Sequence, residues 1–288
     1  MDWTRHGREW PNRGASRFIP CRPHRWHVQE AGEGPTILLL HGAGGATQSW
    51  RGVFPILARD HHVIAPDLPG QGFTRLGTRS RSGLAATAED LWTLCDDQGW
   101  RPDLIAGHSA GGAVALQMAL ERPVSGVMGI NAALGTFDGL AGFLFPAMAK
   151  LLAATPFVPS LFARMSGNEA RVKELLASTG SDIGPEGVHL YRLLTGDPGH
   201  VDGTLLMMSQ WRIEPLLDAL PRIACPVRLL ATGNDRTVPP RVSREAAARL
   251  PRGEYVELPG LGHLAHEEQP ARLAGMIADF LKDVPAGT

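Results

Sequence analysis

At 288 residues the chain is long enough to bury a substantial core, as one large α/β domain with an insertion or as two domains. Apolar residues make up 43% and charged ones 20%, and a net charge of −1 gives no global electrostatic case for a nucleic-acid partner. Three scattered cysteines (Cys21, Cys95, Cys225) suit a reducing cytoplasm better than a disulfide framework or a metal site, and no run reaches the roughly 18–20 apolar residues of a spanning helix, which leaves peripheral membrane contact open.

The N-terminus lacks the apolar core of a signal peptide. The first 26 residues hold three of the seven tryptophans and six arginines, and read either as an extended segment packing its tryptophans on the core or as an arm for an anionic surface. Strands are then predicted at residues 25–29, 36–40 and 62–65, a helix over 85–98, and further strands at 104–106 and 127–130. After residue 220 the alternation resumes with a strand at 227–231, a helix over 241–250, a strand at 254–258 and a final helix over 270–281. Short apolar runs separated by helices predict a mostly parallel central sheet covered on both faces. From Gly135 to Glu214 the rhythm breaks into helical stretches (140–154, 159–165, 169–178, 187–194, 201–210), so residues 135–214 are expected to form a helical cap, or lid, inserted in a core of 1–134 and 215–288.

Gly107-His108-Ser109-Ala110-Gly111 lies between a predicted strand and a helix-forming run, the setting of a nucleophile elbow. A serine hydroxyl attacks well only when it projects from a tight turn near a base, and side chains at positions 107 and 111 would clash with the neighbouring strand and helix. Two downstream residues can complete the chemistry. Asp235 follows the predicted strand 227–231, and His263 follows the strand 254–258 between glycines, giving the order Ser109, Asp235, His263. Upstream, His41-Gly-Ala-Gly-Gly45 follows a buried strand; the N–H groups of Ala43 and Ala110 are the natural donors to an oxyanion. Alone, each part has a plainer reading. The glycine loop lacks the Lys-Ser/Thr of a phosphate loop, Asp235 could shape a turn, and His266 and Glu267 match no metal-site spacing. Asp67 reads as a residue that fixes the turn after its strand. His108 can line the site or pack beside the elbow, and Ser209-Gln210-Trp211 can face a ligand or pack the lid on the core.

With these motifs, roughly residues 16–285 resemble the α/β-hydrolase superfamily. Within it, the aspartate nucleophile of haloalkane dehalogenases and epoxide hydrolases is Ser109 here, and the insertion offers only Tyr191 as a lid tyrosine, which favours serine-esterase chemistry. Trp10-Pro-Asn-Arg13, Trp26-His-Val-Gln29, Asp67-Leu-Pro-Gly-Gln-Gly-Phe-Thr74, Asp197-Pro-Gly-His-Val201 and Leu258-Pro-Gly-Leu-Gly-His-Leu-Ala-His-Glu-Glu268 further resemble the magnesium-chelatase accessory proteins of bacteriochlorophyll biosynthesis. Gln71, where that family more often has histidine, touches none of the assigned roles. The resemblance implies a serine hydrolase acting on a hydrophobic ester or tetrapyrrole, with magnesium chelatase subunits as partners and no metal or organic cofactor. Large apolar residues of the insertion, among them Phe143, Met148, Phe162 and Met207, are candidates with His108 and Trp211 to line its pocket; amphipathic lid helices need apolar faces in any case. The alternative is a non-catalytic porphyrin-binding or chelatase-assisting protein on a hydrolase scaffold.

Overall fold

The computed structural model describes residues 1–135, 163 and 168–284. Among them, β1 (Ser16–Cys21), β2 (His24–Ala31), β3 (Thr36–Leu40), β4 (His62–Pro66), β5 (Leu104–His108), β6 (Gly126–Ile130), β7 (Val227–Thr232) and β8 (Gly253–Leu258) form one sheet in the order β1-β2-β4-β3-β5-β6-β7-β8. β1 and β2 pair antiparallel, as do β2 and β4; every later pair is parallel. The central strands are continuous apolar runs because both of their faces are covered: β5 and β6 are buried at every position. β8 lies at the edge and is largely open to solvent, with Glu254 and Glu257 exposed and Tyr255 and Val256 half-buried.

The main helices are α1 (Leu84–Gln98), α2 (Ala110–Glu121), α3 (Glu169–Ser178), α4 (Gly184–Thr195), α5 (Pro198–Ser209), α6 (Pro240–Arg249) and α7 (Pro270–Asp283). Leu91 and Leu94 of α1, Val114 and Leu116 of α2 and Ala247 of α6 fill the core on one face of the sheet. On the other face α7 presents Leu273, Ala274, Ile277 and Phe280, one stripe at helical spacing, to Ile37, Leu39, Trp50 and Leu230. Burying Ile277 and Phe280 contributes about 1.5–3 kcal/mol apiece to holding that layer down.

The pattern-based elements fall where expected to within a few residues, with one strand missed. β1 escapes notice because Arg17 and Pro20 interrupt its apolar positions, which an outer strand tolerates: Pro20 pairs with Arg25 at the sheet's margin. The tryptophan-rich segment before it packs inward. Trp10 and Trp26 are buried, Trp10 Nε1 donates to Thr47 Oγ1 at 2.9 Å, and Trp3 stands edge-on to Phe18 and Phe73. Between β6 and β7, α3, α4 and α5 match three of the expected helices; those over 140–154 and 159–165 fall on residues outside the described ones, Ala163 apart. No helix among the described residues is long and apolar enough to cross a membrane.

Candidate active site

Strands β3, β5, β6, β7 and β8 lie side by side and parallel, so the loops leaving their carboxyl ends share one edge of the sheet. Ser109 leaves β5 there. Its backbone, at φ 51° and ψ −116°, is a conformation that non-glycine residues rarely hold, and α2 starts at the next residue. The turn is held from below: Ser109 N donates to Ile130 O at 3.0 Å, and Ser109 O accepts from Gly112 N and Ala133 N. The flanking glycines are steric necessities. A Cβ on Gly107 would lie 2.2 Å from Gly111 O, and one on Gly111 would lie 2.2 Å from Leu40 O.

The 41–45 loop leaves β3 and abuts this turn, since a Cβ on Gly42 would meet Ser109 Cβ at 3.0 Å. Gly45 N donates to Gly42 O and Gly44 N to Gln71 Oε1 (2.7 Å). Among the described residues the N–H groups of Ala43 and Ala110 donate to no protein acceptor. Open donors on the residue after the serine and on the loop against its turn would suit a developing oxyanion.

From the ends of β7 and β8 come the candidate acid and base. His263 Nδ1 and Asp235 Oδ2 are 2.7 Å apart, and Asp235 Oδ1 accepts from Thr237 N and Val238 N, so the carboxylate is fixed at both oxygens. The segment carrying His263 is tied down along its length. Gly262 N donates to Glu268 Oε1, Gly262 O accepts from Thr232 Oγ1, and His263 O accepts from His108 Nε2 and Asn131 Nδ2, both at 2.9 Å. The insertion joins in: Thr179 O accepts from both Arg236 N and His263 N, and Ser181 Oγ accepts from Leu264 N. The His108 and His263 rings are 4.6 Å apart, which sets the candidate base beside the residue preceding Ser109.

A family model described as the alpha/beta hydrolase family matches residues 37–276. The chain belongs to the α/β-hydrolase family. It is 48% identical to the magnesium-chelatase 30 kDa subunit of Rhodobacter capsulatus over 275 residues, 95% of this chain and 96% of that one. It is 26% identical to 2-hydroxymuconate semialdehyde hydrolase of Pseudomonas sp. strain CF600, across 91% of this chain and 92% of that protein. Among solved structures, a thermophilic esterase from Thermogutta terrifontis superposes with a TM-score of 0.75 at 24% identity, covering 93% of this chain and 98% of that one; at that identity the likeness is one of fold.

Within this α/β-hydrolase frame the remaining sequence-predicted residues fall into two groups. Phe143, Met148 and Phe162 lie outside the described residues. The others are placed: His108 is buried with its ring nitrogen on His263 O, Met207 is buried against Gln71, and the half-buried Trp211 packs on the core. Gln210 binds Arg79 O and Ser82 N, so the end of the insertion packs on the core. Asp67 fixes its turn by accepting from Thr47 N, Phe73 N and His27 Nδ1; burial would push its carboxyl up, but His27 and these amides outweigh that and hold it down to about 2. Glu267 is no metal ligand in waiting: its carboxylate takes hydrogen bonds from Arg51 and from Tyr191 Oη of α4. Burial lifts its pKa to about 7 against the pull of Arg51. Sequence reasoning missed Asn131, Thr232, Thr179 and Gln71. Asn131 carried a signal, a polar residue ending an apolar strand, and it adopts φ 47° there with its side chain buried. Gln71, which sequence reading left without a part, holds the 41–45 loop at Gly44.

Proposed function

We propose that this protein is a serine hydrolase that cleaves a carboxylic ester or similar acyl bond of a hydrophobic substrate. Ser109 Oγ attacks the carbonyl carbon while His263 takes its proton, and the oxyanion is received by Ala43 and Ala110 N–H. Asp235 holds the His263 ring by Nδ1 and stabilises the imidazolium. Collapse of the tetrahedral intermediate expels the alcohol, which takes the proton from His263 and leaves Ser109 acylated. Water, deprotonated by His263, then attacks the acyl carbon and frees the acid and the serine. The residues between β6 and β7 serve as the cap over this site.

The observation that carries the reading is the backbone of Ser109. A non-glycine residue at φ 51°, ψ −116° costs the fold about 1–3 kcal/mol, a strain expected where it serves to project a hydroxyl. Likeness to a protein named magnesium-chelatase 30 kDa subunit supports placing the substrate near tetrapyrrole metal insertion, with chelatase subunits as partners. That same likeness favours a second reading, a tetrapyrrole-binding or chelatase-assisting protein that makes no use of Ser109.

Labelling with an alkyl fluorophosphonate separates the two. Stoichiometric modification at Ser109, absent in Ser109→Ala and slowed by protoporphyrin, is expected of a hydrolase whose pocket admits the pigment. No labelling of the wild-type protein would overturn the reading, as would normal pigment production in a cell carrying only the Ser109→Ala protein.

A further inference from the structure

One peptide of the oxyanion loop is held from both sides. Gly44 N donates to Gln71 Oε1 at 2.7 Å, and Gly44 O lies 3.2 Å from His200 Nε2 on α5. The tautomer of His200 follows from its other nitrogen. Gly72 N–H donates to Nδ1 at 3.0 Å, so Nδ1 is the acceptor and the ring proton sits on Nε2, directed at Gly44 O. Burial holds His200 down to about 4, so the ring stays neutral and this arrangement persists at physiological pH. Gln71 is fixed in turn, its amide nitrogen 3.2 Å from Met207 Sδ, again on α5.

The helix can come this close because of a glycine contact. A Cβ on Gly203 of α5 would lie 2.0 Å from Gly70 O, so any side chain there would push the helix off the 68–72 loop. On the far side of the same loop His41 performs a matching task. Leu68 N donates to its Nε2 at 2.8 Å, leaving Nδ1–H to bind Gly42 O, which also accepts from Gly45 N. Gly42 O, Gly44 N, Gly44 O and Gly45 N are thus all engaged. Among the described residues the Ala43 N–H, between these engaged neighbours, donates to no acceptor.

We infer that Gln71 and His200 are positioning residues that clamp the oxyanion loop, so that the insertion between β6 and β7 sets the aim of the Ala43 donor. Neither touches the reacting atoms; they act through the Gly44 peptide. The inference rests on the hydrolase reading for its catalytic consequence, though the clamp can be measured without it.

The test uses the full-length protein with His200→Phe, which fills the space without a donor, and His200→Gln, whose amide can accept from Gly72 N and donate to Gly44 O. Turnover of p-nitrophenyl butyrate is normalised to the serine titrated by fluorophosphonate, so misfolded material does not count. For His200→Phe, kcat per titrated serine should fall roughly 10- to 100-fold with KM changed less than about 2-fold, since loss of one donor outright costs about 10²–10³. His200→Gln should recover most of that loss. Amide exchange over residues 42–46 should quicken by about 10-fold or more in His200→Phe and in Gln71→Leu, with the 262–264 segment unchanged. Wild-type kcat per titrated serine, or wild-type protection of 42–46, in His200→Phe would overturn the clamp. A wild-type protein that neither labels nor hydrolyses the ester would overturn the hydrolase reading instead, and the exchange result would then decide the clamp alone.

Discussion

Gly111 and Gly275 sit in helices that differ in what surrounds them, and replacing each with alanine should move stability in opposite directions. On Gly111 an added Cβ would lie 2.2 Å from Leu40 O and 2.6 Å from His41 O, both backbone atoms that no rotamer change can remove. The start of α2 would have to retreat from the end of β3 by about 1 Å, an overpacking cost at or above the upper end of the ~1–3 kcal/mol range. Gly275, on the solvent side of α7, has no atom within 4 Å of the same position, so Gly275→Ala gains about 1 kcal/mol of helix propensity. At about 2–4 °C per kcal/mol, Tm should fall roughly 6–12 °C for Gly111→Ala and rise about 2–4 °C for Gly275→Ala. Gly112→Ala should lower Tm as well, because the added Cβ would meet Ala132 Cβ at 2.6 Å and Ala132 Cα at 3.1 Å, and an alanine Cβ has no rotamer and moves only with its backbone. Activity should discriminate further. The retreat of α2 carries Ala110 N–H away from Ala43, and a 1 Å misplacement costs about 10²-fold in rate. Circular dichroism melts with the fluorophosphonate labelling rate of Ser109 measure both effects. A Gly111→Ala protein that melts within a degree of wild type and labels as fast would show that the close approach of α2 to β3 is not needed.

Asp235→Asn should leave Tm within a few degrees yet cut kcat by about 10³–10⁴, because the amide can present an N–H to His263 Nδ1 and favour the wrong tautomer; a loss under tenfold would remove Asp235 from the site. Asp67, held down to about 2 from the usual 3.8, contributes stability that is full above pH 4 and fades as pH falls through 2. Asp67→Asn should therefore cost about 2 kcal/mol in urea unfolding at pH 7, and an unchanged midpoint would refute the role of its charge. Glu267 has the opposite sign. Its folded pKa of about 7 exceeds the unfolded 4.5, so the folded state gains stability as pH falls from about 8 toward 4.5, by up to roughly 3 kcal/mol. Glu267→Gln should flatten that part of the pH–stability curve, whereas Tyr191→Phe, which strips one donor from the buried carboxylate, should lower stability by about 1–3 kcal/mol at pH 8.

The central sheet was readable because strands such as Thr36–Leu40 are buried on both faces and so appear as unbroken apolar runs, while the elbow was readable because Gly107 and Gly111 cannot be anything larger. Asp235 and His263 could be picked out by their position after strands that run parallel to β5. What could not be read is the bracing. Thr179, Ser181, Gln71 and His200 contact the candidate site through backbone amides and carbonyls, and these bonds depend on how distant loops and the stretch between β6 and β7 fold back, which no local periodicity encodes. β1 was missed for a related reason: an outer strand with one exposed face needs no long apolar run.

The chain has 11 histidines, and the structure gives a physical reason why one of them is suited to act as the base. His41, His108 and His200 each spend a ring N–H on a backbone carbonyl, of Gly42, His263 and Gly44 respectively, and burial holds all three below the ordinary histidine range. His266, pushed down to about 3 by burial, lies 4.4 Å from the His108 ring. All four are neutral at neutral pH, and the first three also brace the backbone. His263 differs from these four in having a carboxylate at hydrogen-bond distance; His24 and His27 have one too, Asp90 and Asp67, but they lie within β2 and not on a loop leaving the parallel strands. On the proposed mechanism, the charge formed when His263 takes the proton of Ser109 would meet Asp235 and the uncharged ring of His108. A second imidazolium at the 4.6 Å separation of His108 would oppose that charge by about 3.6 kcal/mol at an effective dielectric of 20, roughly 400-fold in rate. Burial of His108 would therefore serve a base at His263 electrostatically, while its ring N–H holds the His263 carbonyl in place.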